Sequence, residues 1–192
     1  MTKKLSAVSS QLSAGSRPRI LAGRWKGRVL QVPRDARPTS SRAREALFDI
    51  LQDRVRGSRF LDLFAGSGAV GLEALSRGAS AAVFVERDSR ALERNLATLG
   101  AAEEFEIVRD DARDAICALE RRGETFDLVF ADPPYSLEAV LLKRIGALLA
   151  PAGKLVVQTD SDASAPEFAD LSLLDRRAYG RNAFWFFGEA RR

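Results

Sequence analysis

Histidine is absent from these 192 residues, and Cys117 is the one cysteine. Without imidazole the chain lacks the usual general base near neutral pH and the commonest metal ligand, so Ser-His-Asp, Cys-His and histidine–metal catalysis are excluded. No spaced carboxylate loop of the calcium-binding kind occurs either, and no metal is expected. A single thiol permits neither an internal disulfide nor a cysteine-rich zinc cluster, as befits a reducing compartment. Long apolar runs are also missing. No stretch approaches the roughly 18 residues that cross a bilayer, and Met1-Thr2-Lys3-Lys4 is not followed by the apolar segment of an export signal. The expectation is a cytoplasmic chain that does not enter a membrane.

What is present is enough apolar material, 46% of residues, for one domain with an additional piece. Charge is unevenly spread. Residues 1–59 hold 14 Lys/Arg against 4 Asp/Glu, leaving 16 against 22 for the remainder. A basic N-terminal segment attached to a mildly acidic body is the electrostatic footprint of phosphate-backbone binding. A solubilising tail would show the same bias.

The order of elements follows from periodicity. Residues 1–18, rich in Ser and Lys, read as a flexible basic arm. From Arg19 to Val32 two short strands are expected around a glycine-containing turn. After Arg37-Pro38, Thr39 or a following Ser caps a helix with apolar positions Ala43, Ala46, Leu47, Ile50 and Leu51. Residues 19–57 thus form a small hairpin-and-helix extension, and 58–192 a catalytic domain. There, strands are expected at Phe60–Phe64, Ala81–Glu86, Glu104–Val108, Phe126–Ala131 and Lys154–Gln158. Helices are expected at Gly68–Ser76, Ser89–Leu99, Asp111–Glu120 and Leu137–Leu148. This alternation predicts a Rossmann-like, doubly wound, mostly parallel α/β sheet with its crevice at the carboxyl ends of the strands. Leu171–Tyr179 and Ala183–Phe187, joined at Gly180-Arg181-Asn182, read as an antiparallel terminal hairpin.

Two motifs carry the chemistry. In Leu61–Gly71 a strand runs into Gly66, Gly68 and Gly71 with G-x-G-x-x-G spacing, and Glu86 closes the following strand, where a carboxylate can accept from ribose hydroxyls. The pattern fits any nucleotide cofactor, or a glycine turn needed only for packing. Asp62 favours S-adenosylmethionine over a nicotinamide: a carboxylate four residues ahead of the first glycine opposes a pyrophosphate but suits a cationic ammonium. Asp111 can accept from an adenine amine while a neighbouring backbone amide donates to the ring, and the same Asp can cap a helix. The second motif is Asp132-Pro133-Pro134-Tyr135, a proline-stiffened loop directly after a buried strand. Asp132 and the Pro133 carbonyl can hold the N–H groups of an exocyclic amine, leaving its lone pair aimed at an electrophilic methyl, while Tyr135 offers a stacking face for the base. The bland alternative is an ordinary stiff turn.

These residues resemble the class I S-adenosylmethionine-dependent amino-methyltransferases. The stretches Arg19–Leu30, Arg37–Leu51, Asp62–Ala79 and Phe84–Asp88 narrow the likeness to the RsmD family, over roughly residues 19–187. That resemblance implies methylation of the N2 amine of a guanine in small-subunit ribosomal RNA, position 966 in the usual RNA numbering, by a monomer acting on a 30S subunit or an assembly intermediate. It implies a cofactor held by Asp62, Gly66, Gly68, Glu86 and Asp111, with Phe64, Ser67, Arg87 and Ala112 beside them, and a guanine held by Asp132 through Tyr135. RNA would be gripped by Arg19, Arg24, Lys26, Arg28, Arg37, Thr39 and Arg42, with Thr39, Arg42 and Glu45 bordering the active site. The chain departs from the family pattern at Ser41, where an Asp is usual, and at Gln158, where a Glu is usual. An adenine N6 methyltransferase and a nicotinamide-dependent oxidoreductase are the alternatives.

Overall fold

A computed structural model of the chain describes residues 17–33, 39–101, 105–133 and 144–189. Its elements are α1 (Ser41–Leu51), β1 (Arg59–Leu63), α2 (Ala69–Ser76), β2 (Ala81–Val85), α3 (Arg90–Leu99), β3 (Phe105–Val108), α4 (Ala112–Arg121), β4 (Phe126–Ala131), β5 (Leu149–Asp160), β6 (Leu171–Tyr179) and β7 (Asn182–Glu189). Among the described residues, seven strands form one sheet in the order β3-β2-β1-β4-β5-β7-β6. β1 to β5 are parallel, whereas β7 runs antiparallel between β5 and β6. This is the doubly wound sheet with a terminal hairpin that the alternation predicts. The chain reverses direction of travel between β1 and β4, and there the ligand crevice opens.

Side-chain alternation along the central strands divides the core in two. Phe60, Phe84, Leu128, Phe130, Val156 and Phe184 face α1, α2 and α3. Leu61, Leu63, Val83, Val129, Leu155 and Trp185 face α4 on the opposite side. The same parity has a functional consequence. Asp62 follows Phe60, Asp132 follows Phe130 and Gln158 follows Val156, so all three polar residues point to the α1/α2 face where β1, β4 and β5 end.

Several local expectations are corrected. The two N-terminal strands reduce to one antiparallel bridge, Arg19 with Val29, because Gly23 and Gly27 turn the chain before a ladder can extend. The expected cap of α1 by a Ser after Thr39 is found at Ser40, whose hydroxyl accepts from the Ala43 N–H at 3.2 Å. Its buried stripe is Ala43, Arg44, Leu47, Phe48 and Leu51, leaving Ile50 exposed and Ala46 only half-buried, since positions one turn apart select Phe48 instead. Burying Leu47, Phe48 and Leu51 contributes roughly 5–9 kcal/mol, which makes this helix part of the core. α2 begins at Ala69, one residue later than expected, because Gly68 is the cap in the left-handed region at φ 79°. β2 ends at Val85, one residue before Glu86. β5 is longer than Lys154–Gln158, having absorbed Leu149–Gly153 through an irregular register against β4. The helix expected at Leu137–Leu148 lies mostly outside the described residues; its end is a 3-10 turn at Gly146–Leu148. No helix among the described residues is long and apolar enough to cross a membrane.

Candidate active site

The glycine loop is shaped by what surrounds it. Phe64 leaves β1 at φ 74°, a left-handed conformation that costs a non-glycine residue about 1–3 kcal/mol. The Phe64 and Ala65 amides both donate to the Val85 carbonyl, at 3.1 and 2.9 Å, which anchors the turn to β2. Gly66 is also left-handed, at φ 55°, and a side chain there would enter open space, so the main chain is accessible from the crevice. Gly71 serves packing: a Cβ would lie 2.4 Å from the Phe84 ring.

Asp62 is buried, with 2% exposure, and its Oδ2 accepts from the Gly71 N–H at 2.9 Å. Gly68 has no side chain to cap α2, so the strand supplies the missing acceptor. Burial pushes the Asp62 carboxyl up to about 7; the Gly71 N–H opposes this, and the charges of Asp132 and Glu86 add to it. Glu86 uses both oxygens on backbone amides, accepting from Gly66 at 2.7 Å and Asp88 at 2.9 Å. Asp111 caps α4 by accepting from Arg113 N–H at 2.8 Å, and its second oxygen is paired with the exposed Arg87 guanidinium. Asp111 thus fills the capping role, at the end of β3. Ala112 is buried in the first turn of α4, and Ser67 is buried with its carbonyl accepting from Asn95 Nδ2 at 2.9 Å.

The second cluster closes the crevice beside β4. Asp132 Oδ2 accepts from Gln158 Nε2 at 3.0 Å and lies 3.5 Å from Thr39 Oγ1. Thr39 Oγ1 is closer to Gln158 Oε1, at 3.1 Å. Burial pushes the Asp132 carboxyl up to about 7, and the charge of Asp160 adds to the shift. Pro133 follows, half-buried. Pro134, Tyr135 and Arg37 lie outside the described residues.

The N-terminal segment is stitched to this framework through groups that the sequence reading passed over. Glu73, fully buried on α2, accepts from the Leu21 and Ala22 amides at 2.7 and 3.0 Å and from Arg77 Nε at 2.8 Å. Arg44, also fully buried, donates to the Ala69 and Arg19 carbonyls at 3.2 and 2.9 Å and lies 3.9 Å from Glu73. Burial lowers the Arg44 pKa, against the opposing pull of Glu73. Asn95 binds both the N–H and the carbonyl of Gln31 while holding Ser67. At Gly23, φ 78°, a Cβ would sit 1.7 Å from the Ser76 carbonyl oxygen. Both charges had a signal: Arg44 falls on the apolar stripe of α1, and Glu73 sits in a helix buried all round. Arg19, Arg24, Lys26 and Arg28 remain exposed on the hairpin, Arg24 stacked 4.1 Å over the Trp25 ring and Arg28 donating to the Thr98 carbonyl at 2.8 Å. Arg42 and Glu45 are exposed on α1, while Thr39 is the member of that group found at Asp132.

The family described as Conserved hypothetical protein 95 matches residues 18–188. The chain is 36% identical over 182 residues to the Escherichia coli protein named Ribosomal RNA small subunit methyltransferase D, covering 90% of each. A solved hypothetical protein of Thermus thermophilus superposes with a TM-score of 0.77 at 40% identity, over 88% of this chain and 98% of that one. The solved structure of SMU.776, complexed with SAH, shares the fold at a TM-score of 0.59 and 16% identity, over 72% of this chain and 48% of that one. With a family match running through the hairpin, α1 and the whole sheet, the chain belongs to the RsmD family.

Proposed function

We propose that this protein transfers a methyl group from S-adenosylmethionine to the exocyclic N2 amine of a guanine in small-subunit ribosomal RNA, the guanine at position 966 in the usual numbering. Ribosomal RNA methylation is the activity in the name of the 36%-identical relative. Guanine and its position are what the family resemblance implies, and the exocyclic-amine chemistry rests on the site. The observation that carries it is the disposition of Asp132: Oδ2 is held by Gln158, while no described residue donates to Oδ1. A carboxylate fixed through one oxygen presents the other as an oriented acceptor.

The residues present fit the cofactor. Asp62, Glu86 and Asp111 stand at the ends of three adjacent parallel strands, around a glycine turn whose main chain is open to the crevice. In this reading Asp62 takes the ammonium, Glu86 the ribose hydroxyls and Asp111 the adenine amine, with Phe64, Ser67, Arg87 and Ala112 completing the wall. Bound there, S-adenosylmethionine supplies a methyl group made electrophilic by its sulfonium. The chain's own part is positional. Asp132 Oδ1 and the Pro133 carbonyl accept the two N–H groups of the amine, which turns its lone pair out of conjugation with the ring and into the crevice. Asp132 is half-buried beside the buried Thr39 and Gln158, which limits the water around that acceptor. After transfer the surplus amine proton has an acceptor at hand in Asp132. No imidazole is needed.

The test is a methylation assay with tritiated S-adenosylmethionine on naked ribosomal RNA, 30S particles and DNA, followed by mass spectrometry of the labelled nucleoside. N2-methylguanosine in small-subunit RNA is expected. Label only in DNA, or only on adenine, would overturn the reading.

A further inference from the structure

We propose that Thr39 and Gln158 act as a positioning relay for Asp132, the Gln158 amide fixing which carboxylate oxygen faces the substrate and Thr39 bracing the far end of that amide. This rests on the reading of Asp132 as the acceptor for the amine.

The geometry is directional. A threonine hydroxyl has one proton, and Gln158 Oε1, at 3.1 Å, is the nearer of two acceptors, Asp132 Oδ2 lying at 3.5 Å. Donation into Oε1 leaves Nε2 facing Asp132 Oδ2 at 3.0 Å. The reversed amide would set an oxygen against the Asp132 carboxylate and lose the bond to it, although the Thr39 hydroxyl could then accept from the N–H₂ group, so the carboxylate selects the amide orientation and Thr39 braces its far end. Thr39 and Gln158 are buried, so solvent cannot replace the lost partners. The relay also has a topological reason. Ala131 is in register with Val157, so Asp132 and Gln158 are adjacent on neighbouring parallel strands, and Thr39 arrives immediately ahead of the α1 cap at Ser40. The segment ahead of the sheet thereby completes the acceptor. The charged groups bearing on Asp132 are Asp62 on β1 and Asp160 at the end of β5, all of one sign. A neutral amide is the partner that can donate to Asp132 without adding to that charge.

The experiment is steady-state methylation across pH 5.5–9 for Gln158→Met, Gln158→Glu, Thr39→Val and Thr39→Ser, with Asp132→Ala as reference. Gln158→Met is expected to lower kcat about 10- to 100-fold with KM changed less than about threefold, the loss of one hydrogen bond to a charged group. Gln158→Glu places two carboxyls within hydrogen-bond distance, so it works while they share a proton and acquires an alkaline limb that the natural protein lacks. Thr39→Val is expected to lower kcat several-fold, and Thr39→Ser, which keeps the hydroxyl, to restore it. Should Gln158→Met fold poorly, the Glu and Ser/Val variants decide the matter. Wild-type kcat and pH profile in Gln158→Met and Gln158→Glu, beside an inactive Asp132→Ala, would overturn the relay alone. An active Asp132→Ala would overturn the reading beneath it.

Discussion

Replacing Asp62 with Asn tests whether the crevice holds a carboxyl whose charge the free protein resists and a cationic ligand requires. The amide oxygen can still accept from Gly71 N–H, so the α2 cap survives. Moving a carboxyl from its ordinary 3.8 to about 7 corresponds to about 4 kcal/mol of disfavoured charge. The sign follows from proton binding. Between pH 3.8 and 7 the folded protein holds a proton that the unfolded chain has released, so this group makes stability fall as pH rises through that window and leaves it flat above. Asp62→Asn removes that contribution. Its stability advantage over the natural protein is expected to grow by about 2–3 kcal/mol between pH 5 and pH 8, measured by urea unfolding at both pH values. Cofactor affinity should behave oppositely. Asp62 must ionise to pair with an ammonium, so affinity measured by calorimetry is expected to fall about tenfold per pH unit below 7, and in Asp62→Asn to be weak with that dependence removed. An advantage equal at both pH values, or a natural affinity flat from pH 5.5 to 8, would refute the reasoning.

Three further outcomes are expected. Glu73→Gln strips the buried Arg44 of its counter-charge and should destabilise the fold by about 3–5 kcal/mol, with Arg44→Met in the same chain recovering part of that, by chemical denaturation. Gly23→Ala meets the Ser76 carbonyl at 1.7 Å; it should lift the hairpin, weakening RNA binding in a filter assay while calorimetry shows cofactor affinity unchanged. Arg24, Lys26 and Arg28 replaced together by Gln should lower the slope of log affinity against log salt by about 2–3, whereas an unchanged slope would place the RNA elsewhere.

Periodicity located the strands and most helices well because central parallel strands and amphipathic helices leave strong patterns, as in Phe126–Ala131 and Arg90–Leu99. It failed where packing decides locally. The hairpin was overestimated since Ile20 and Leu30, though apolar and buried, are held by turns and by α2 instead of a ladder. The residues proposed for the site stand out in the sequence as types, Asp62 and Asp132 above all. Their partners do not. Gln158 drew notice only as a departure from a pattern, and its bond to Asp132 depends on the β4/β5 register, which no local stretch encodes. Arg44 and Glu73 come from segments about thirty residues apart, and only the docking of α1 on α2 brings them within 3.9 Å.

That docking bears on why the charge of the chain is divided. The carboxylates of Asp62, Glu86 and Asp132 gather at the strand ends, while the exposed cations of Arg24, Lys26 and Arg28 sit on the hairpin. A basic surface concentrates RNA but would also draw its phosphates into any neighbouring crevice. The acids at the strand ends oppose that, and they favour a ligand of positive charge. If the hairpin carries the RNA and Asp132 holds the amine, as proposed, the two regions must be held rigidly together so that the base meets Asp132 within hydrogen-bond reach. Glu73, Asn95 and Thr39 supply that rigidity, each binding the N-terminal segment at one end of its contacts and a cofactor or acceptor element at the other. On the reading proposed above, the segment ahead of β1 is a wall of the active site as well as a carrier of positive charge. Thr39→Val, which leaves the hairpin cations and the core in place, should therefore lower methylation several-fold even of a substrate small enough to need no RNA grip, such as a short stem-loop supplied at saturating concentration.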